Sequence, residues 1–496
     1  MYLSVPGLPL PEGRGIILRN KINWSICLTC DGQGKILRQP SKRRRRRYQR
    51  ELRESENNGH KKIPKKPVKS NKDLCLICNG SGLSISDGVT EIDFNYPHVA
   101  IIGGGIGGTA LAVACLHRGI PFTLYERDTS FDSRSQGYGL TLQQASKAIA
   151  GLGIISLCGA ITSTRHVVFN QEGTVVGEWG IRKWLQTPIR KNSKRKNIHI
   201  ARQTLRSTLL EQLHETESVK WDHAFVNFSE NKEGSIDVNF KVNGKNTIEK
   251  ADLVVGADGI RSTTRSQLIN ENQTPLRYLG CIVILGICSL ESLSDNKSSL
   301  LDSATVFQTV NGHERIYIMP YDNNSIMWQF SFPISEKKAK ELHVNGPQSM
   351  KKEVTTRVQH WHDPISLIIK NTPESRITGY PIYDRSLIST DILQNFNNVT
   401  LIGDAAHPMS PFKGQGANQA ILDALSLARM ISIECRSHSL WRKKGIRETL
   451  LNKSEKEMID RTSSKVLDSS NAVGFLHSMN VLHKRDSPRG QDFKNK

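Results

Sequence analysis

Several things are missing from this 496-residue chain, and each absence narrows what it does. The opening MYLSVPGLPLPEGRG has no charged start, no continuous apolar stretch and no small-residue cleavage site, so a secretory leader is not expected. No uninterrupted apolar run suits a membrane span: residues 99–116 carry no charge, but glycines break them where a strand would turn into a helix. Aromatic residues make up only 6% and are almost absent from the most basic stretch, so stacking on nucleic-acid bases is not supported there. The 9 cysteines are an odd number. Cys115, Cys158, Cys281, Cys288 and Cys435 stand singly, the pattern of free thiols in a reducing, intracellular compartment, with the cytoplasm as the default.

What is present begins with charge. Residues 38–72 hold 15 Lys or Arg and 3 Glu, so this stretch alone supplies +12 of the formal net charge of +21, and the remaining body is only moderately basic. The run SKRRRRRYQR with KKIPKKPVK shows no amphipathic period and reads by default as a solvated tether; a nuclear signal or a contact to RNA or an anionic surface are the alternatives. Residues 1–93 are thus expected to form a largely irregular extension. From Pro97 the texture becomes α/β, with short β-branched runs at residues 98–102, 122–125, 252–255 and 399–402, all but the second followed directly by glycine. Residues 305–309, 315–319 and 326–332 alternate or carry aromatic and β-branched side chains, which predicts an antiparallel sheet in a second domain. Helices are predicted from Gln415 through Ala428 and again over residues 447–483.

The segment HVAIIGGGIGGTALAVACLHRGIPFTLYERD puts Gly103, Gly105 and Gly108 in a G-x-G-x-x-G turn between a strand and a helix. The first glycine permits the tight turn, the second lets a pyrophosphate approach the backbone, and the third lets helix and strand pack closely. Glu126 ends the next strand, where a carboxylate accepts hydrogen bonds from ribose hydroxyls. No second such turn occurs, so a separate NAD(P) domain is not expected. Two more clusters follow. ADLVVGADGIRSTTR carries Gly256, Asp258, Gly259, Ser262 and Arg265, and NVTLIGDAAHPMSPFKGQGANQAILDA carries Gly403, Asp404, Pro408, Pro411, Gly414, Gly416, Asn418 and Asp423. Alone, each reads equally well as a turn in which Asp caps a helix.

In this order and combination the segments resemble the group A FAD-dependent monooxygenases, the aromatic hydroxylase family that includes salicylate and para-hydroxybenzoate hydroxylases, zeaxanthin epoxidase and tetracycline-inactivating monooxygenases. The resemblance covers residues 97–435. It implies a Rossmann-like FAD-binding domain in three parts (97–180, 251–275 and 391–435), a mixed segment at 181–250 contacting both FAD and substrate, an inserted substrate-domain sheet at 276–390, and C-terminal helices and tail at 436–496. It also implies that Asp404 meets the ribityl chain and that the helix opening after Gly414 faces the flavin pyrimidine edge. Asp258 and Arg265 would lie near the pyrophosphate and the path of a visiting NAD(P)H, Arg202 would touch the flavin, and Arg127 would lie near the same site. In the implied cycle NAD(P)H reduces FAD, oxygen adds at flavin C4a, and one oxygen atom passes to a small organic substrate, aromatic or polyene, while the other becomes water. The flavin carries the hard step, so no catalytic side chain is assigned. His407 is a tempting base better read as packing, and Tyr383, Asp384 and Arg385 match a family segment that would pin the sheet to the FAD domain. Trp328, Phe330 and Phe332 share one strand face and are expected near the substrate pocket or in the core. The alternatives are a flavoprotein reductase or dehydrogenase of the same fold, and a non-catalytic flavin-fold zinc interaction protein.

Cys27 and Cys30 in CLTCDGQG, and Cys75 and Cys78 in CLICNGSG, repeat C-x-x-C-x-G-x-G and resemble the cysteine-rich repeats of DnaJ chaperones, in which two knuckles share one zinc. The intervening 44 residues exceed that family's spacing, and reduced or redox-active thiol pairs are the alternative to shared structural zinc.

Overall fold

Short apolar strands bounded by glycine form the centre of a computed structural model that describes residues 22–37, 42–57, 72–133, 137–182, 197–214, 216–231, 234–294, 298–436 and 438–489. Five strands pair in parallel in the order Val219–Lys220, Phe122–Tyr125, Val99–Ile102, Leu253–Gly256, Val399–Leu401. Val99–Ile102 and Leu253–Gly256 are buried at every residue, which is why they read as apolar runs and not as alternating strands. Helices Ile106–Leu116 and Gly416–Glu434 pack together over one face. Over the other lies an antiparallel meander, Ala224–Glu230, Ile236–Val242 and Lys245–Ala251, whose Ile236, Val238 and Phe240 meet Ala100, Ile102 and Val254.

The second layer is a sheet of seven strands in the order Val175–Trp179, Arg165–Asn170, Thr305–Val310, Arg315–Asp322, Ser325–Pro333, Leu276–Ser289, Ile377–Arg385. Its pairs are antiparallel except Arg165–Asn170 with Thr305–Val310. The two strands within residues 165–179 therefore join the substrate-domain sheet, although their sequence position groups them with the nucleotide-binding part. The helical stretch at the C-terminus forms Asn452–Leu476, as its periodicity predicts.

The two faces of this sheet do different things. Trp328, Phe330 and Phe332 are fully buried against Val354, Ile365, Ile368 and Trp361 under helices Gly346–Val358 and Ile365–Asn371. Of the two places expected for them, the pocket or the core, they occupy the core. Their alternation partners turn the other way: Met319, Met327, Tyr317, Tyr321 and Tyr380 cluster with Phe412, which belongs to the loop before Gly416. Strand alternation forces this choice, because neighbouring residues point to opposite faces. Phe330→Ala is predicted to destabilise the protein by about 3–5 kcal/mol in urea unfolding while leaving the flavin content of the folded fraction unchanged.

Candidate active site and cysteine cluster

The glycine turn is shaped by close backbone approach. Gly103 has φ +107°, and a Cβ there would lie 2.7 Å from the Ala257 carbonyl and 2.9 Å from Asp258 Cα. A Cβ on Gly108 would stand 1.9 Å from the Gly103 carbonyl oxygen, so only glycine lets helix and strand meet. Gly105 differs. Its φ is −73° and the nearest foreign atom to its Cβ position is Arg202 Nη2 at 4.0 Å, so nothing within the chain demands glycine there. Helix Ile106–Leu116 starts at Gly105 with no side-chain cap, leaving its first N–H groups turned outward. Glu126 accepts the Gly104 N–H at 2.7 Å and the Asp128 N–H at 3.1 Å, which fixes the end of the second strand against the turn. Arg206 donates to the Gly104 carbonyl at 2.7 Å and stacks over Phe131 and Trp221. Sequence reasoning singled out Arg202 and missed Arg206, although the four-residue spacing in IARQTLRSTL puts both on one helix face.

The three segments converge. A Cβ on Gly107 would lie 3.4 Å from Ala420 Cβ, and one on Gly403 would lie 3.0 Å from the same carbon, so the first turn, the Gly-Asp loop and helix Gly416–Glu434 meet at Ala420. Arg202 approaches Gly105 on one side and acts on Asp404 on the other, and Asp404 Oδ1 lies 3.4 Å from the Cβ position of Gly416. Gly105, Arg202, Asp404 and Gly416 thus border one cleft, and Tyr138, 42% exposed, lies under the Arg202 guanidinium. Asp404 is open to the cleft but surrounded by protein, and that desolvation raises its carboxyl above the usual range despite the opposing pull of His407 and Arg202. The turn Pro411–Lys413 and Gly414, φ +59°, lead into the helix, which again carries no side-chain cap. Arg127 is exposed beside Glu126.

Other named residues hold this arrangement together. Asn418 uses its whole side chain internally: Oδ1 accepts from Gln143 and Ala145 N–H, and Nδ2 donates to Thr141 and Gly414 carbonyls. Asp258 accepts from Ser262 and Thr264, and Ser262 caps the helix Thr263–Leu268. Arg265, 2% exposed, donates to the Ala405 and Ala406 carbonyls and to Thr274, which ties the Asp-Gly segment to the Gly-Asp loop and occupies the groups expected along a cofactor path. Asp384 is pinned by Arg277 through two bonds of 2.9 Å, and Arg385 reaches Ile260, Glu271 and Thr274, so the sheet is fastened to the nucleotide-binding layer by Arg385 and not by an Asp384–Arg385 pair. His407 binds Asp423 at 2.7 Å, and Asp423 also accepts from Gly403 and Arg461. These bonds lock the loop.

Residues 96–440 match the family described as FAD binding domain. The chain belongs to the FAD-dependent monooxygenase family. Among curated relatives of this monooxygenase, aurachin C monooxygenase/isomerase of Stigmatella aurantiaca is 30% identical over 340 residues, 68% of this chain and 81% of that protein. A 3-amino-4-hydroxybenzoate 2-monooxygenase of Streptomyces platensis is 29% identical over 347 residues, 69% and 81% of the two chains. The solved structure of 2,6-dihydroxypyridine-3-hydroxylase from Arthrobacter nicotinovorans shares the fold, with TM-score 0.62 and 17% identity over 82% of this chain and 99% of that one. The monooxygenase binds FAD, and the cradle fits that group: glycine at position 105 has no explanation inside the protein and has one in a ligand approaching its backbone. Among the described residues no helix is long and apolar enough to cross a membrane.

Far from the cleft in sequence, the knuckles come together despite their separation. Asn23–Ile26 pairs with Leu83–Ser86, and Lys35–Leu37 with Lys72–Leu74, so each half of the module is built from both knuckles. The four sulfurs of Cys27, Cys30, Cys75 and Cys78 lie within 4.8 Å of one another, with Cys27–Cys75 at 4.0 Å and Cys30–Cys78 at 3.7 Å. Gly34 N–H points at Cys30 Sγ (3.1 Å) and Gly82 N–H at Cys78 Sγ (3.2 Å). Between the knuckles the basic stretch forms a helix, Lys42–Asn57, where an irregular linker had been expected. Its Arg47–Glu51 pair one turn apart supports it locally, an interaction that a search for an apolar face does not register.

Because the Asp404 carboxyl titrates higher in the folded state than in the unfolded chain, its ionisation opposes folding, and the penalty vanishes once pH falls below the carboxylate range. Asp404→Asn is therefore predicted to raise the melting temperature of the FAD-free enzyme at pH 7. The difference from wild type should close as the pH is lowered through about 4 in a thermal-shift series.

Proposed function

We propose that this enzyme binds FAD along the cleft, with the pyrophosphate over the turn at Gly103, Gly105 and Gly108 and the flavin against the opening of helix Gly416–Glu434, and that NAD(P)H reduces it from solution. The convergence of the first turn, the Gly-Asp loop and that helix on Ala420 carries the reading. Two uncapped helix starts supply N–H groups and partial positive charge, one suited to phosphate and the other to the electron-rich pyrimidine edge. Glu126 is positioned for the adenosine ribose, Asp404 for the ribityl hydroxyls, and Arg202 and Arg127 for the flavin and its phosphates. Asp258, Arg265, Pro411, Gly403, Gly414 and Asn418 hold the loops in place. Bound FAD would supply oxygen activation, while the chain orients the ring and keeps water from it.

The substrate we assign is a small aromatic or polyene molecule that is hydroxylated or epoxidised. Tyr317, Met319, Tyr321, Met327, Tyr380 and Phe412 line the sheet face turned toward the Gly-Asp loop, an aromatic and thioether surface suited to a flat unsaturated ligand. The 3-amino-4-hydroxybenzoate 2-monooxygenase is named for a substrate of this kind. The cysteine cluster we read as a structural zinc site: with Zn–S bonds of about 2.3 Å, a tetrahedron has edges of roughly 3.8 Å, which the cross-knuckle separations approach. The basic helix is a solvated tether, and the free thiols suit a reducing compartment.

Gly105→Val separates ligand from fold. The backbone angles and the open space at Gly105 accommodate a side chain, so the melting temperature of the FAD-free enzyme should stay at the wild-type value. The FAD dissociation constant should rise about a hundredfold, equivalent to roughly 2.8 kcal/mol. Wild-type protein should be yellow when loaded, and a screen of aromatic compounds should find one that stimulates NAD(P)H oxidation and oxygen uptake together. Unchanged FAD affinity in Gly105→Val would remove the assignment of the turn, and NAD(P)H oxidation without substrate-dependent oxygen uptake would remove the monooxygenase cycle.

A further inference from the structure

The cysteine module sits on the catalytic body at Arg429, with a second arginine, Arg118, buried nearby. Arg429, near the end of the helix that opens at the Gly-Asp loop, donates Nη2 to the carbonyls of Ser81 at 2.7 Å and Gly80 at 3.3 Å, and its Nη2 stands 3.1 Å from the Cβ position of Gly34. Gln33 returns a bond to the Arg429 carbonyl at 3.0 Å. Arg118, just past the C-terminal end of the first helix, is 2% exposed and donates Nη1 to the Ala114 carbonyl; its Nε and Nη2 have no partner among the described residues, nor does Nε of Arg429. Arg118 is close enough to feel the charges of both Arg429 and Cys30. Trp24 of the module packs against Gly153 and His117, the neighbour of Arg118. No carboxylate pairs with Arg118 or Arg429 among the described ion pairs. Burial penalises two such cations when no counter-ion stands beside them.

Metal changes the sign of that cluster. Zinc bound by four thiolates is a formal dianion, and two guanidinium groups neutralise it. We propose that a zinc tetrathiolate at Cys27, Cys30, Cys75 and Cys78 is the counter-ion of Arg118 and Arg429, so that metal loading docks the cysteine module onto the FAD-binding body. The proposal rests on the zinc reading above and adds the partners. It also gives the module a reach: Arg429 lies about 20 Å along a continuous helix from Gly416, at 1.5 Å per residue, so the anchored end and the flavin-facing end belong to one rigid element.

The test uses the full-length protein. Elemental analysis should find one zinc per chain; its absence would overturn the zinc reading and this proposal with it. If zinc is present, stripping it with a chelator should lower the melting temperature of wild type, and the drop should be at least halved in Arg118→Met/Arg429→Met, where no cation is left unpaired. An equal drop in both proteins would overturn the counter-ion role while the zinc reading stands. Should the double variant not fold, Arg429→Gln serves instead: loss of a partner outside the ligand shell should speed zinc release to a chromophoric chelator by about tenfold or more, and a wild-type rate would contradict the proposal.

Discussion

Two helices that begin without caps at the carboxyl ends of one parallel sheet set the terms for the rest of this molecule. A helix start left open in a protein interior has unsatisfied N–H groups and is tolerated where water or a ligand can reach it. Here both starts border the same cleft, and the contacts of Ala420 with Gly107 and Gly403 set the distance between them. The surrounding polar bonds serve that registration. Arg265 joins the Asp-Gly segment to the Gly-Asp loop, Asn418 ties the loop at residues 143–145 to the second helix, and His407 with Arg461 immobilises Asp423 beneath Gly403.

This division of labour explains why one carboxylate is left in an unfavourable place. Asp423 is also enclosed, and burial opposes its ionisation, but His407 and Arg461 outweigh that and hold it below the usual carboxylate range. Asp404, nineteen residues earlier, has no bonded cation among the described residues, and desolvation raises it. A carboxylate held at the floor of a cleft without a bonded partner is what a ligand with hydroxyl groups would find available. The protein satisfies the charge that builds the loop and leaves open the one that faces the cleft.

Much of this was legible in the sequence because it is local. Strand, tight turn and helix at residues 99–116, the capping Ser262, and the paired C-x-x-C-x-G-x-G knuckles are written in contiguous residues. What was not legible depends on which side of an element meets what. Strand Ser325–Pro333 is apolar on both faces because helices cover one and Phe412 of the loop before Gly416 packs on the other, so alternation separated Trp328, Phe330 and Phe332 from Met327 without saying which set turns toward that loop. Arg265 and Asn418 were recognisable as special but not as internal ties, since most of the groups they bind come from segments more than a hundred residues away. The meeting of the two knuckles across 44 residues was obscured by length, yet loop closure grows only logarithmically costly with separation.

Hydrogen exchange of the FAD-free enzyme, before and after FAD is added, tests the convergence most directly. One ligand bridging both helix starts should slow exchange together in peptides covering residues 103–109 and 414–419, at the same FAD concentration. Protection of one stretch with the other unchanged would mean that the two openings do not serve a single ligand.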